Sequence, residues 1–127
     1  LGLSGALRDR LQALQERTGV QIDFSVAGQA RDLTTEEVDA LFRIAEEALT
    51  NVERHPGARR VRVRLEYAAD QTELTIQDDG WGFDPAIVDP DHTGLAGMQE
   101  RAAMVGATIT ASGSPGRGTE IWCSLPR

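Results

Sequence analysis

Lysine is absent. All thirteen basic residues of the 127-residue chain are arginine, so any basic contact to an anion must come from a planar guanidinium fork. A phosphate loop ending in Gly-Lys-Ser/Thr is thereby excluded. Cysteine occurs once, at Cys123. It cannot form an internal disulfide, which suits the cytosol. Its apolar strand setting reads as a buried, inert thiol. No stretch is apolar over the length needed to span a bilayer, and no secretory leader is visible. Methionine is missing from position 1, where Leu1 already stands in a helical pattern. The expectation is a cytoplasmic fragment of a longer protein, and a membrane anchor in that parent stays open.

What is present fits one globular domain over residues 1–127. Hydrophobic residues make up 40% and charged residues 26%, enough for a core without metal or disulfide support. The net charge is −7. An acidic domain repels a phosphate backbone, so no nucleic-acid partner is expected. A small anion held by local donors remains possible.

Leu3, Leu7, Leu11 and Leu14 recur at helical spacing, and the helix they predict ends near Gly19. Val20, Ile22, Phe24 and Val26 alternate with polar residues as in a half-buried strand, and 27–33 reads as a loop. Thr34 or Thr35 can cap a second helix, with Glu36 and Glu37 near its positive end. Its predicted stripe is Val38, Leu41, Phe42, Ala45, Leu49 and Val52, and His55-Pro56-Gly57 stops it. Val61 to Tyr67 and a partner strand around Leu74 and Ile76 form a hairpin with one polar face. Residues 78–91 are rich in Gly, Pro and Asp and read as an irregular loop. A short helix from about Leu95 to Val105 and a closing hairpin, 107–111 with 120–125, complete the chain. The fold class expected is α+β: two layers, with a mixed, mainly antiparallel sheet and helices on one face.

Three clusters can carry chemistry. Glu47, Asn51 and Arg54 stack on one side of the second helix, with His55 beside them. They are either the wet face of an amphipathic helix or a Mg²⁺ and phosphate site, since an amide oxygen is a hard ligand and Arg54 and His55 suit phosphate oxygens. Asp78-Asp79-Gly80-Trp81-Gly82-Phe83 follows a strand. It is either a sharp turn with solvated acids or a seat where a carboxylate accepts from an exocyclic amine such as that of adenine. A Ca²⁺ loop through Asp78, Asp79, Asp84, Asp89 and Asp91 lacks the alternate ligand spacing and closing Glu of an EF-hand. Gly94-Leu95-Ala96-Gly97-Met98 opens a helix, where free N–H groups favour phosphate. It is equally plain turn chemistry.

The order of these clusters resembles the ATP-binding fold shared by gyrase, Hsp90, MutL and the histidine kinases. Arg43 to His55 resembles the N box of sensor kinases that signal to LuxR/NarL-type response regulators. Asp78 to Phe83 resembles their first glycine box, Gly94 to Ala102 their second, and Gly116 to Pro126 their last turn and strand. Leu1-Gly2-Leu3 and Arg17 to Val20 are similar to their opening helix and its exit, so the likeness covers essentially the whole chain.

The resemblance implies ATP and Mg²⁺ as cofactors. It implies Asp78 on the adenine amino group, and Gly80 and Gly82 giving room around the base. Asn51 would be the Mg²⁺ ligand, and Arg54 and His55 would face the phosphates. Gly94, Leu95 and Gly97 would hold the triphosphate under a lid at 84–93, with Thr119 near the adenine. Glu47 would be the catalytic carboxylate that matches the water-activating acid of the ATPase relatives. The implied reaction moves the γ-phosphoryl group to a histidine on a separate phosphoacceptor domain of a homodimeric parent. His55 and His92 do not stand in an acceptor sequence, so the isolated chain should bind ATP and turn over poorly. A non-catalytic nucleotide-binding module and an anti-sigma-type serine kinase are the alternatives. Pro56, Trp81 and His92-Thr93 depart from the usual wording and bear on lid closure.

Overall fold

The computed structural model describes residues 2–54, 57–80, 93–113 and 117–126. Among them, three helices pack on one face of a five-stranded sheet. The order in the chain is α1 (Gly2–Thr18), β1 (Gln21–Gly28), α2 (Thr35–Arg54), β2 (Arg60–Tyr67), β3 (Gln71–Asp78), α3 (Thr93–Met104), β4 (Thr108–Gly113) and β5 (Thr119–Pro126). The strand order in the sheet is β1-β2-β3-β5-β4. Only the β1–β2 pair is parallel, so the expected mixed, mainly antiparallel sheet is observed.

The leucine spacing of α1 puts Leu3, Leu7, Leu11 and Leu14 in the core. The Gly19 N–H donates to the Gln15 carbonyl at 2.8 Å and closes the helix. Of the two candidate caps for α2, Thr34 is the one used. Its hydroxyl accepts from the Glu37 N–H at 3.1 Å, and its own N–H donates to the Glu37 carboxylate at 2.8 Å. This reciprocal box satisfies donors the helix start leaves orphaned, a contribution of about 1 kcal/mol.

The sheet's inner row reads directly from strand alternation. Val61, Val63 and Leu65 of β2, Leu74 and Ile76 of β3, and Ile121, Cys123 and Leu125 of β5 are all buried. Burial pushes the Cys123 thiol up to about 11, in keeping with the inert reading of that buried residue. Strand β1 runs to Gly28, past the predicted loop start at Ala27, because its parallel register with β2 continues to the Gly28–Tyr67 pair. Val26 stays exposed, since the helix layer leaves it uncovered.

Helix α1 is tied to the end of α2 by charge. Glu53 accepts from Arg10 at 3.3 Å and from Arg17 at 2.5 Å. The Arg10 and Glu53 side chains are only 14% and 28% exposed, so this pair is less screened than a fully solvated one.

Candidate nucleotide site

Asp78 sits where the inner row stops being apolar. Thr72, Leu74 and Ile76 of β3 are buried, and alternation puts Asp78 on the same face. Its neighbours in register are Val61 on β2 and Thr119 on β5. The last row of the helix-covered face is therefore an aliphatic group, a carboxylate and a hydroxyl. Asp78 and Thr119 are both half-buried. An Asp78 carboxylate oxygen accepts from the Gly80 N–H at 2.9 Å, which fixes the acid against a buried glycine.

Gly118 completes this corner. Its φ is +87°, and a Cβ there would stand 2.0 Å from the Asp78 carbonyl oxygen. Any other residue would push β5 off the end of β3. The sequence reading placed Gly118 only in a turn. Its closeness to Asp78 is a long-range fact of the β3–β5 register.

The neighbouring acid does a different job. Asp79 accepts from the backbone N–H groups of Arg59 at 2.7 Å and Arg60 at 2.9 Å. It pins the start of β2 to the end of β3. Burial pushes its carboxyl up, but these hydrogen bonds and the Arg60 charge together hold it below its ordinary 3.8. Asp79 thus belongs to the scaffold. The calcium reading loses it as a ligand, and Asp84, Asp89 and Asp91 lie outside the described residues. Among the described residues no group of three or more acidic, His or Cys side chains could hold a metal ion.

The stripe on α2 is not where the sequence pattern put it. The buried residues are Ala40, Leu41, Ile44, Ala45, Ala48, Leu49 and Val52, while Val38 and Phe42 are only partly buried. This rotates the core-facing side toward the polar stripe. At roughly 100° per residue, Asn51 lies about a quarter turn from the middle of the buried side. Glu47 and Asn51 are accordingly half-buried, and Arg54 is exposed. The wet-face reading therefore fits Arg54 and holds only in part for Asn51, which is half-buried. Since α2 covers the inner face of the sheet, it shares a side with Asp78.

Gly94, Leu95 and Gly97 fall in the first turns of α3, which begins at Thr93, two residues before the predicted start. A Cβ at Gly97 would meet no atom of the described residues within 4 Å. Met98 and Ala102 bury the helix in the core, and α3 packs on α2. Thr93, expected as the last lid residue, is helical. His55, Gly82 and the rest of the expected lid lie outside the described residues. A hollow of about 360 Å³ also opens at this end, lined by Arg60, Arg62, Gln77 and Glu120 together with Asp78, Gly118 and Thr119. The first four alternate with the inner row, so the hollow opens toward the sheet's uncovered face, and it reaches the candidate corner at Asp78, Gly118 and Thr119.

Residues 36–127 match the family described as histidine kinase-, DNA gyrase B-, and HSP90-like ATPase. The chain belongs to that family. Its relatives include sensor kinases. It is 33% identical over 126 residues to the histidine-protein kinase/phosphatase DegS of Brevibacillus brevis, covering 99% of this chain and 33% of DegS. It is 34% identical over 125 residues to the sensor histidine kinase LiaS of Bacillus subtilis, covering 98% of this chain and 34% of LiaS. The chain thus spans about a third of these relatives' length. Among solved structures, the histidine kinase domain of an Erythrobacter litoralis blue-light activated kinase superposes with a TM-score of 0.79 at 21% identity, covering 99% of this chain and 61% of that one. Full-length ShkA in complex with AMPPNP gives 0.79 at 22% identity, covering 99% of this chain and 30% of that one. These likenesses establish the ATPase fold, which the helices on one face of the mixed sheet already display.

Proposed function

We propose that this ATPase-family domain is the catalytic part of a sensor histidine kinase. It binds Mg-ATP and delivers the γ-phosphoryl group to a histidine on a separate phosphoacceptor domain of a homodimeric parent. The downstream partner is a response regulator of the LuxR/NarL type, and the domain works in the cytoplasm. The observation that carries this reading is the polar end of the inner row. A half-buried carboxylate, Asp78, is fixed by Gly80 and crowded by Gly118, on the side of the sheet that α2 and its half-buried Asn51 cover.

In this reading Asp78 accepts from the adenine amino group, and Thr119 lines the base. The Asn51 amide oxygen suits a hard cation, which when bound offsets the charge on the phosphate oxygens. Arg54 and His55 meet phosphate, Gly80 and Gly82 give the base room, and the α3 start at Gly94, Leu95 and Gly97 offers backbone donors. Glu47, one turn before Asn51, orients the incoming imidazole. Positioning of this kind supplies most of the acceleration in phosphoryl transfer.

Thermal unfolding with and without Mg-ATP tests the site. Nucleotide at a hundredfold excess over its Kd should stabilise the chain by about 2.7 kcal/mol. Asp78→Ala should remove that gain while the protein stays folded, and Asn51→Ala should remove its dependence on Mg²⁺. A full ATP-induced gain in the Asp78 variant would overturn the assignment. Phosphorylation of a supplied acceptor domain then separates a kinase from a binding module.

A further inference from the structure

A second concave site lies at the opposite end of the sheet from Asp78. A cleft of about 520 Å³ opens between the segment after β1 and the β2–β3 turn. That volume is in the range of small-molecule sites, roughly 300–1,000 Å³. Its walls include Ala30, Arg31 and Asp32 on one side and Tyr67, Ala68 and Ala69 on the other. The two walls are held together by backbone. Gly28 has φ +82°, and a Cβ there would come within 2.0 Å of the Tyr67 carbonyl oxygen.

Arg31 is the unusual member. Its Nε is buried and has no hydrogen-bond partner among the described residues. Burying a charged donor without an acceptor is costly, and an acceptor in the cleft that turned the guanidinium toward it would relieve that cost. The Tyr67 phenol is close enough to feel the same guanidinium. Burial pushes it above its ordinary 10.0, and the Arg31 charge pulls the other way. The phenol therefore stays protonated near neutral pH and is available as a donor.

We propose that this cleft binds a small aliphatic monocarboxylate. Turned toward the cleft, the guanidinium fork presents Nε and one Nη to hold a carboxylate through two parallel hydrogen bonds. The Tyr67 hydroxyl supplies another donor. Asp32 on the wall disfavours a second negative charge, which selects against a phosphate dianion. The methyl groups of Ala30, Ala68 and Ala69 suit a short alkyl tail. None of this uses the residues assigned to the nucleotide.

The test is a ¹H–¹⁵N NMR titration of the whole chain with propionate, and with inorganic phosphate at matched ionic strength. The Arg31 Nε–H signal and the Ala68 amide should shift saturably with propionate, with a Kd of about a millimolar. Phosphate should shift them far less. Arg31→Gln should abolish the Ala68 response. Tyr67→Phe should weaken binding about tenfold or more, the worth of one hydrogen bond to a charged acceptor. Asp32→Asn should let phosphate compete. Absence of a saturable shift, an unchanged response in Arg31→Gln, or phosphate binding as tightly as propionate to the unmodified chain would each overturn the proposal. Continued exclusion of phosphate by Asp32→Asn would overturn the charge argument behind the ligand class.

Discussion

The two faces of the sheet are made by the same strands and do opposite work. The inner face is a continuous aliphatic layer from Val61, Val63 and Leu65 across Leu74 and Ile76 to Ile121, Cys123 and Leu125. The outer face carries Arg60, Arg62 and Arg64, with Gln77 and Glu120 hydrogen-bonded across β3 and β5 at 2.9 Å. Its ion pairs, Arg62 to Asp23 at 3.5 Å and Arg64 to Glu66 at 3.3 Å, are largely solvated. Stability resides on the inner face. The candidate chemistry appears where that face ends, at Asp78 and Thr119, and a boundary acid, Asp79, ties the edge together.

Three substitutions sharpen this contrast. The largest effect belongs to the inner face. Leu65→Ala, at a fully buried site, should lower unfolding stability by about 2–5 kcal/mol in urea titrations. A loss below 1 kcal/mol would mean the inner face is not the source of stability. Asp79→Asn should come next, at about 1 kcal/mol at pH 7, because two backbone donors lose a charged acceptor at an exposed site. Its pH dependence has a definite sign. The Asp79 carboxyl is held below 3.8, so its contribution is present above that value and fades as pH falls through the lower folded-state value. Stabilities of the variant and the unmodified chain should therefore converge in strong acid. A gap that persists there would point to packing, not charge. Smallest is Arg62→Gln, whose exposed pair with Asp23 should be worth less than about 0.5 kcal/mol. A larger loss would give the outer face a structural role it lacks here.

Much of this was legible in the sequence because it is periodic. The leucine spacing of α1 and the alternation of β2 appear where the pattern puts them, and Thr34 is one of the two caps the sequence offers. Alternation even separates the two adjacent acids, since Asp78 keeps step with Leu74 and Ile76 while Asp79 does not. What was missed involves weakly marked or distant residues. The predicted stripe leaves out Ala40 and Ala48, which carry little hydrophobic signal, and also the strongly apolar Ile44, so it lies too far round α2 and makes Asn51 look more solvated than it is. The grip of Asp79 on Arg59 and Arg60, and the press of Gly118 on Asp78, join residues about 20 and 40 positions apart. No local pattern encodes such pairings.

The fork at Glu53 gives α1 leverage over the nucleotide corner. Arg10 and Arg17 hold a carboxylate that is one peptide unit from Arg54 and two from Asn51. Turning α1 about its axis would strain both guanidinium contacts or carry the final turn of α2 with it. A torque entering through the first helix would then reach Asn51 as a rotation of its backbone, with no need to disturb the sheet.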